Sequence, residues 1–214
     1  MTPLRKFGYK YYEIEKLASD GCSDIYSVQK LDSGIFALKL FKKGFSEEKF
    51  ARQIKIYSLL GKDGSPFFLK YISNSKDELI VREKYIVLEY VEKGELKSYI
   101  LSGKFFPEKL AKIAVYKIIN GISEMHRMGI VHKKISVEKI FLDRFYNFKI
   151  GDFECAEFVG GDQKHLFTED ILDAGMVIIQ LLTGKLELKI IRDKLKAAII
   201  KFKINIYYNF NFKL

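Results

Sequence analysis

Four short stretches carry the side chains able to do chemistry. The first is Gly129-Ile-Val-His-Lys-Lys-Ile-Ser-Val-Glu-Lys-Ile-Phe-Leu142, which sets His132 and the ammonium groups of Lys133, Lys134 and Lys139 in an apolar frame. A lysine is a cation at neutral pH unless strongly desolvated, so it can neutralise a phosphate but cannot accept a proton. The second is Lys149-Ile-Gly-Asp-Phe-Glu154, whose Asp152 and Glu154 could meet a cation; Asp152 could equally cap a turn. The third, Phe36-Ala-Leu-Lys39, is one lysine on an apolar strand, which alone says little. The fourth is Ala18-Ser-Asp-Gly-Cys-Ser-Asp-Ile25. Glycine lets backbone N–H groups approach phosphate closely, but Gly21 is the one glycine here and Asp20 adds negative charge. No Cys/His grouping has metal-site spacing.

These residues need a scaffold, and hydrophobic periodicity outlines it. Tyr11–Leu17, Ile25–Lys30 and Ile35–Phe41 read as strands, with Leu31-Asp-Ser-Gly34 as a turn. Ser46–Leu60 has helical spacing, with Phe50, Ile54, Tyr57 and Leu60 on one face and Ser46-Glu-Glu48 as its start. Phe67–Ser73 and Lys84–Val91 read as strands, and Lys76–Glu83 as a polar loop. Pro107 suits a first helical position. Leu110, Ile113, Ala114, Ile118, Ile122 and Met125 then form a stripe up to His126. Asp170–Thr183 is apolar nearly all round, which predicts a helix buried inside the protein, with Gly184 as its cap. A strand-rich first third followed by helices predicts two lobes joined near Glu89–Gly94.

The 214 residues suffice for one good core or two small ones. No apolar run reaches membrane-spanning length, and Met1-Thr-Pro-Leu-Arg-Lys lacks the apolar core of a signal peptide. With two cysteines, the expectation is an intracellular, cytoplasmic chain without a disulfide framework. The net charge is +10, and from Lys185 onward eight Lys/Arg face two Asp/Glu. Leu188, Ile191, Leu195, Ala198, Ile199 and Phe202 share a helical face there. That segment reads either as a helix packed on the rest or as a basic amphipathic surface for an anionic partner. No nucleic-acid motif is present.

In order and spacing, the four stretches resemble the eukaryotic protein kinase domain, from about Tyr11 to Lys185. The resemblance implies an α+β, bilobal kinase-like fold. Its parts are an N-lobe over 8–91, a truncated helical C-lobe over 92–184 and a basic tail over 185–214. It implies ATP as a ligand, with Lys39 on the phosphates and Asp152 on Mg²⁺. It places adenine among Ala18, Ile25, Ala37, the gatekeeper Leu88, the backbone of Glu89 and Val91, and Phe141, with Glu95 on the ribose. His132, Phe153 and Tyr57 would form the family's apolar regulatory spine.

Against the family pattern H-R-D-L-x-x-x-N, this chain puts Lys134 at the catalytic Asp and Lys139 at the metal-binding Asn. Ser136 stands at the loop lysine and Gln53 at the helix glutamate that pairs with Lys39. A Lys39–Gln53 hydrogen bond would lack the Coulomb term. Glu154 replaces the glycine of D-F-G, none of the three loop glycines is kept, and 17 residues separate Asp152 from Asp170 with no A-P-E between. Mg²⁺ wants oxygen ligands, and an ammonium beside it is repulsive. The expectation is a pseudokinase, a regulatory or scaffolding module for a protein partner, with weak or absent ATP binding and a doubtful need for Mg²⁺. The alternatives are a weak, unconventional Ser/Thr kinase, in which lysines neutralise phosphate and Glu154 supplies a carboxylate, or a degenerate copy.

Overall fold

The computed structural model describes residues 5–31, 33–61, 64–77, 83–103, 106–160 and 164–186. The basic amphipathic stretch expected after Glu187 therefore lies outside the described residues, as does part of the 76–83 loop.

The chain begins as an antiparallel meander. Strands β1 (Lys6–Phe7), β2 (Tyr11–Ser19), β3 (Ser23–Lys30) and β4 (Gly34–Phe41) lead into helix α1 (Glu47–Leu60). Strands β5 (Tyr71–Asn74) and β6 (Tyr85–Glu89) complete a sheet of order β1-β2-β3-β4-β6-β5. Alternation gives each face its own core. Across β3, β4 and β6, Tyr26, Leu38 and Val87 share one face and pack with Phe7, Tyr11, Val28 and Tyr85. The other face carries Ile25, Lys39 and Ile86 in one row and Ser27, Ala37 and Leu88 in the next. Ile86 and Leu88 join the larger core, which runs on into the helical half.

Helix α1 starts where its sequence says it should. Ser46 Oγ accepts from Lys49 N at 3.3 Å, and Glu47 and Glu48 lie in the first turn, where the helix dipole favours anions. Phe50, Gln53, Ile56, Tyr57 and Leu60 are its buried residues, with Ile54 packed partly against the same core.

The second half contains β7 (Gly94–Glu95), α2 (Leu96–Leu101), α3 (Glu108–Arg127), β8 (Ile130–Val131), β9 (Ile140–Leu142), β10 (Phe148–Ile150), β11 (Glu157–Phe158) and α4 (Lys164–Thr183). Pro107 is the residue before α3, one place earlier than expected. Ala111, Ala114, Ile118, Ile122 and Met125 form the buried stripe of α3. Gly121 belongs to it because a Cβ there would meet Ile150 Cδ1 at 2.7 Å.

Helix α4 departs from expectation twice. It begins at Lys164, so Asp170 lies within the helix and not at its start. It is also not buried all round: Leu172, Ala174, Val177 and Leu181 are buried, Ile171, Met176, Ile178 and Ile179 only partly, and Leu182 is exposed. The reason is that α3 and β8 are the described elements packed along it, so one stripe is covered. No helix among the described residues is long and apolar enough to cross a membrane.

Candidate functional site

Lys39 sits on the inward face of β4 between Ile25 and Ile86 and is buried. Its ammonium meets Asp152 Oδ1 at 2.5 Å, with Glu154 Oε2 farther off at 3.9 Å. Lys139 takes the other oxygen of the same carboxylate, Oδ2. The two lysines come from opposite sides of the cleft, one from the sheet and one from the loop before β9. Burial pushes the Asp152 carboxyl up, but the charges and hydrogen bonds of Lys39 and Lys139 outweigh it and hold it well below the usual range. Burial likewise pulls Lys139 down, and Asp152 more than reverses that.

The backbone holds this arrangement. Asp152 has φ 58°, in the left-handed region, where Asp is among the tolerated side chains. Its N–H donates to Tyr57 Oη at 3.0 Å, and Gly151 N–H donates to Lys139 O at 3.0 Å. Gly151 has no room for a side chain: a Cβ would lie 2.4 Å from Leu69 Cδ1 and 3.1 Å from Phe141. Phe153 packs on Tyr57 at 4.8 Å, His132 at 5.5 Å and Phe68 at 6.1 Å between ring centroids. The column of Tyr57, Phe153 and His132 is thus assembled, with Phe68 an addition the sequence did not suggest. His132 is buried, which lowers its pKa, and its Nε2–H donates to Gly151 O at 3.2 Å.

Asp170 anchors the loop that carries the lysines. Its carboxylate accepts from His132 N and Lys133 N, each at 2.8 Å, and from His126 Nε2 at 2.9 Å. These bonds hold Lys133 at φ 65°. Lys133 pairs with Glu157 at 2.8 Å. Lys134 is exposed and makes no ion pair among the described residues. Ser136 is half-buried, its carbonyl accepting from Lys139 N and its side chain bonding Glu138.

A Lys39–Gln53 hydrogen bond does not form. Gln53 is fully buried, yet neither amide atom has a hydrogen-bond partner. Asp152 outcompetes it because an ion pair carries a charge term that an amide lacks. Glu47 turns away to Lys76 and Lys84, as its helical position requires.

The residues expected around adenine are placed by strand pairing. Ala18 pairs across the sheet with Ile25, Ala37 with Leu88, and Phe141 of β9 with Glu95 of β7. Ala18 is exposed, Ile25, Ala37 and Phe141 are half-buried, and Leu88 is buried. Burial raises the Glu95 carboxyl, against the pull of Lys139. At the strand end, Glu89 N donates to Lys70 O at 2.9 Å, and Val91 O accepts from Gly94 N at 3.1 Å. The Glu89 side chain holds Lys149 at 2.6 Å and Lys70 N at 2.6 Å, a clasp that sequence reasoning missed.

The turn between β2 and β3 was also read incompletely. Asp20 Oδ1 accepts from Cys22 N at 2.7 Å and Ser23 N at 2.6 Å, and Oδ2 accepts from Ser23 Oγ at 3.1 Å. Asp-x-x-Ser was the available signal, since Asp side chains commonly bond backbone two or three residues on. Cys22 and Cys155 are both half-exposed free thiols, and Cys22 hydrogen-bonds Glu154.

A strand-built lobe with one helix, a helical second half, and a lysine, an aspartate and an anchored loop meeting in the cleft define a protein-kinase-like architecture. The protein kinase domain family matches residues 11–172, and the chain belongs to that family. Several of its curated relatives carry the name serine/threonine-protein kinase. It is 36% identical to a probable serine/threonine-protein kinase of Saccharomyces cerevisiae, KCC4, over 48% of this chain and 12% of that protein. It is 27% identical to the Arabidopsis thaliana serine/threonine-protein kinase AtPK2/AtPK19, over 93% of this chain and 47% of the relative. With the Caenorhabditis elegans ribosomal protein S6 kinase beta it shares 30% over 77% of this chain and 31% of the other. The chain thus spans less than half the length of these relatives.

Family membership implies ATP and Mg²⁺ in general, and the residues here fit them unequally. The apolar cleft and Glu95 suit a purine and a ribose. The metal position does not fit: both oxygens of Asp152 are bonded to ammonium groups, and Lys139 stands where an oxygen ligand is needed.

Proposed function

We propose that this chain is a pseudokinase domain, a kinase fold used for binding and regulation, with phosphoryl transfer lost. The observation that carries this reading is the Lys39–Asp152–Lys139 bridge. In it the carboxylate that would hold a metal neutralises two lysines instead. Lys134 strengthens the case. Losing a general base costs about 10²- to 10⁴-fold, and an exposed ammonium cannot replace one. The unpartnered Gln53 adds that the lysine's usual helix partner is absent. The functional unit we assign is a purine-binding cleft of Ala18, Ile25, Ala37, Leu88, Glu89, Val91, Glu95 and Phe141, presented to a protein partner inside the cell.

The test is a thermal melt with ATP, with and without Mg²⁺, alongside transfer of labelled γ-phosphate to a generic peptide. A native-state ligand raises the melting temperature by mass action. The expected result is a small rise that Mg²⁺ does not increase, and no transfer. Transfer that requires Mg²⁺ and is lost in Lys39→Ala would overturn the proposal. It would favour the second reading, a weak Ser/Thr kinase, for which the assembled Tyr57–Phe153–His132 column speaks.

A further inference from the structure

We propose that Asp20 is an internal substitute for phosphate, so that the cleft selects an uncharged purine nucleoside over a nucleoside triphosphate. This rests on reading the cleft as a purine site. In the family, the loop between these two strands covers the phosphates, and phosphate needs backbone N–H groups there. At that turn the N–H groups of Cys22 and Ser23 already donate to one oxygen, Oδ1 of Asp20, at 2.7 and 2.6 Å. The second oxygen takes the Ser23 hydroxyl. An anion tethered two residues away competes at an effective concentration that a free phosphate cannot match.

The turn is also fastened shut. Asp20 N–H donates to Ser23 O at 2.9 Å across it. Just after β4, Lys42 N–H donates to Cys22 O at 2.9 Å, and the Lys42 ammonium donates to Asp20 O. On the cleft side Cys22 hydrogen-bonds Glu154, which brings a second carboxylate to where a triphosphate would run. Two cations of the cleft, Lys39 and Lys139, are both bonded to Asp152, and the Lys42 ammonium at the turn is bonded to the Asp20 carbonyl. Hydrogen bonds to the Asp20 carboxylate, assisted by the charge of Lys39, hold its pKa low against the effect of burial, so the substitute stays anionic. The purine and ribose positions lie outside this network.

Calorimetric titration of adenosine and of ATP, both in EDTA, into wild type, Asp20→Ala and Asp20→Asn tests the idea. Asp24→Ala is the control. It removes an equal charge from the same hairpin, where Asp24 bonds Lys16 and Ser19. Freeing two N–H donors to meet a charged ligand should tighten ATP binding by about tenfold or more in Asp20→Ala. Adenosine binding should stay within about twofold across all variants, and Asp24→Ala should leave the ATP-to-adenosine ratio near wild type. Asp20→Asn keeps an acceptor oxygen without the charge and should fall between. Unchanged ATP affinity in Asp20→Ala, with adenosine still binding, would overturn the role of Asp20 and leave the purine site standing. Cooperative melts without adenosine binding in any variant would overturn the purine site and, with it, this inference.

Discussion

Asp152 is shared: Lys39 holds Oδ1 and Lys139 holds Oδ2, so one carboxylate ties the sheet to the helical half. The three charged groups are largely withdrawn from water, with side-chain exposures of 5% for Lys39, 15% for Asp152 and 18% for Lys139. Breaking such a bridge at its centre differs from breaking it at one end.

Asp152→Ala leaves Lys139 unpaired and Lys39 with only the more distant Glu154, and should destabilise the protein by about 3 kcal/mol. Lys139→Met leaves Asp152 paired with Lys39 and should cost about 1 kcal/mol. Urea denaturation of both variants checks the order. If Lys139→Met proved the costlier, the bridge would not be organised around Asp152.

Gln53 supplies a prediction of the opposite sign. A buried amide without partners forfeits its hydration and gains nothing in exchange. Gln53→Met keeps the volume and the helix propensity, and should raise stability by about 1 kcal/mol. A destabilised variant would mean that the amide has a bonding role in solution.

The pH dependence follows from His132. Burial lowers its folded pKa, while the unfolded imidazole titrates near 6.5. Below about pH 6.5 the unfolded chain binds a proton that the folded one refuses, so this stability contribution is full above that pH and lost as pH falls. His132→Phe, which keeps a ring against Phe153, should flatten the stability profile below about pH 6.5. Asp152 acts lower down. Its depressed pKa gives stability that is present above about pH 4 and lost as pH drops further. Chemical denaturation at a series of pH values separates the two ranges.

Gly151→Ala tests the close packing before Asp152. The added methyl would collide with Leu69 and crowd Phe141, costing about 1–3 kcal/mol. The clash presses on the floor of the cleft, so adenosine affinity should fall as well. A stable variant with unchanged affinity would show that Leu69 can move aside freely.

Strands β2, β3, β4 and β6, the start of α1 at Ser46 and the family itself were legible in the sequence, because they depend on local periodicity, capping and motif spacing. So was the lysine, Lys134, at the place where the family pattern has its catalytic Asp. That Lys139 stands where the family pattern has its metal-binding Asn was legible too, but its new partnership was not. Lys139 looked merely hostile to Mg²⁺ until the fold set it against Asp152, 13 residues away in sequence and shared with Lys39, 113 away. Asp20 looked like added charge until the hairpin turned its carboxylate onto two backbone N–H groups. Helix α4 looked buried from its composition, yet burial depends on which neighbours pack around it. Sequence determined which groups could be charged, apolar or capping. Tertiary structure decided which of them meet, because ion pairs between distant residues form only when chain topology brings them within reach.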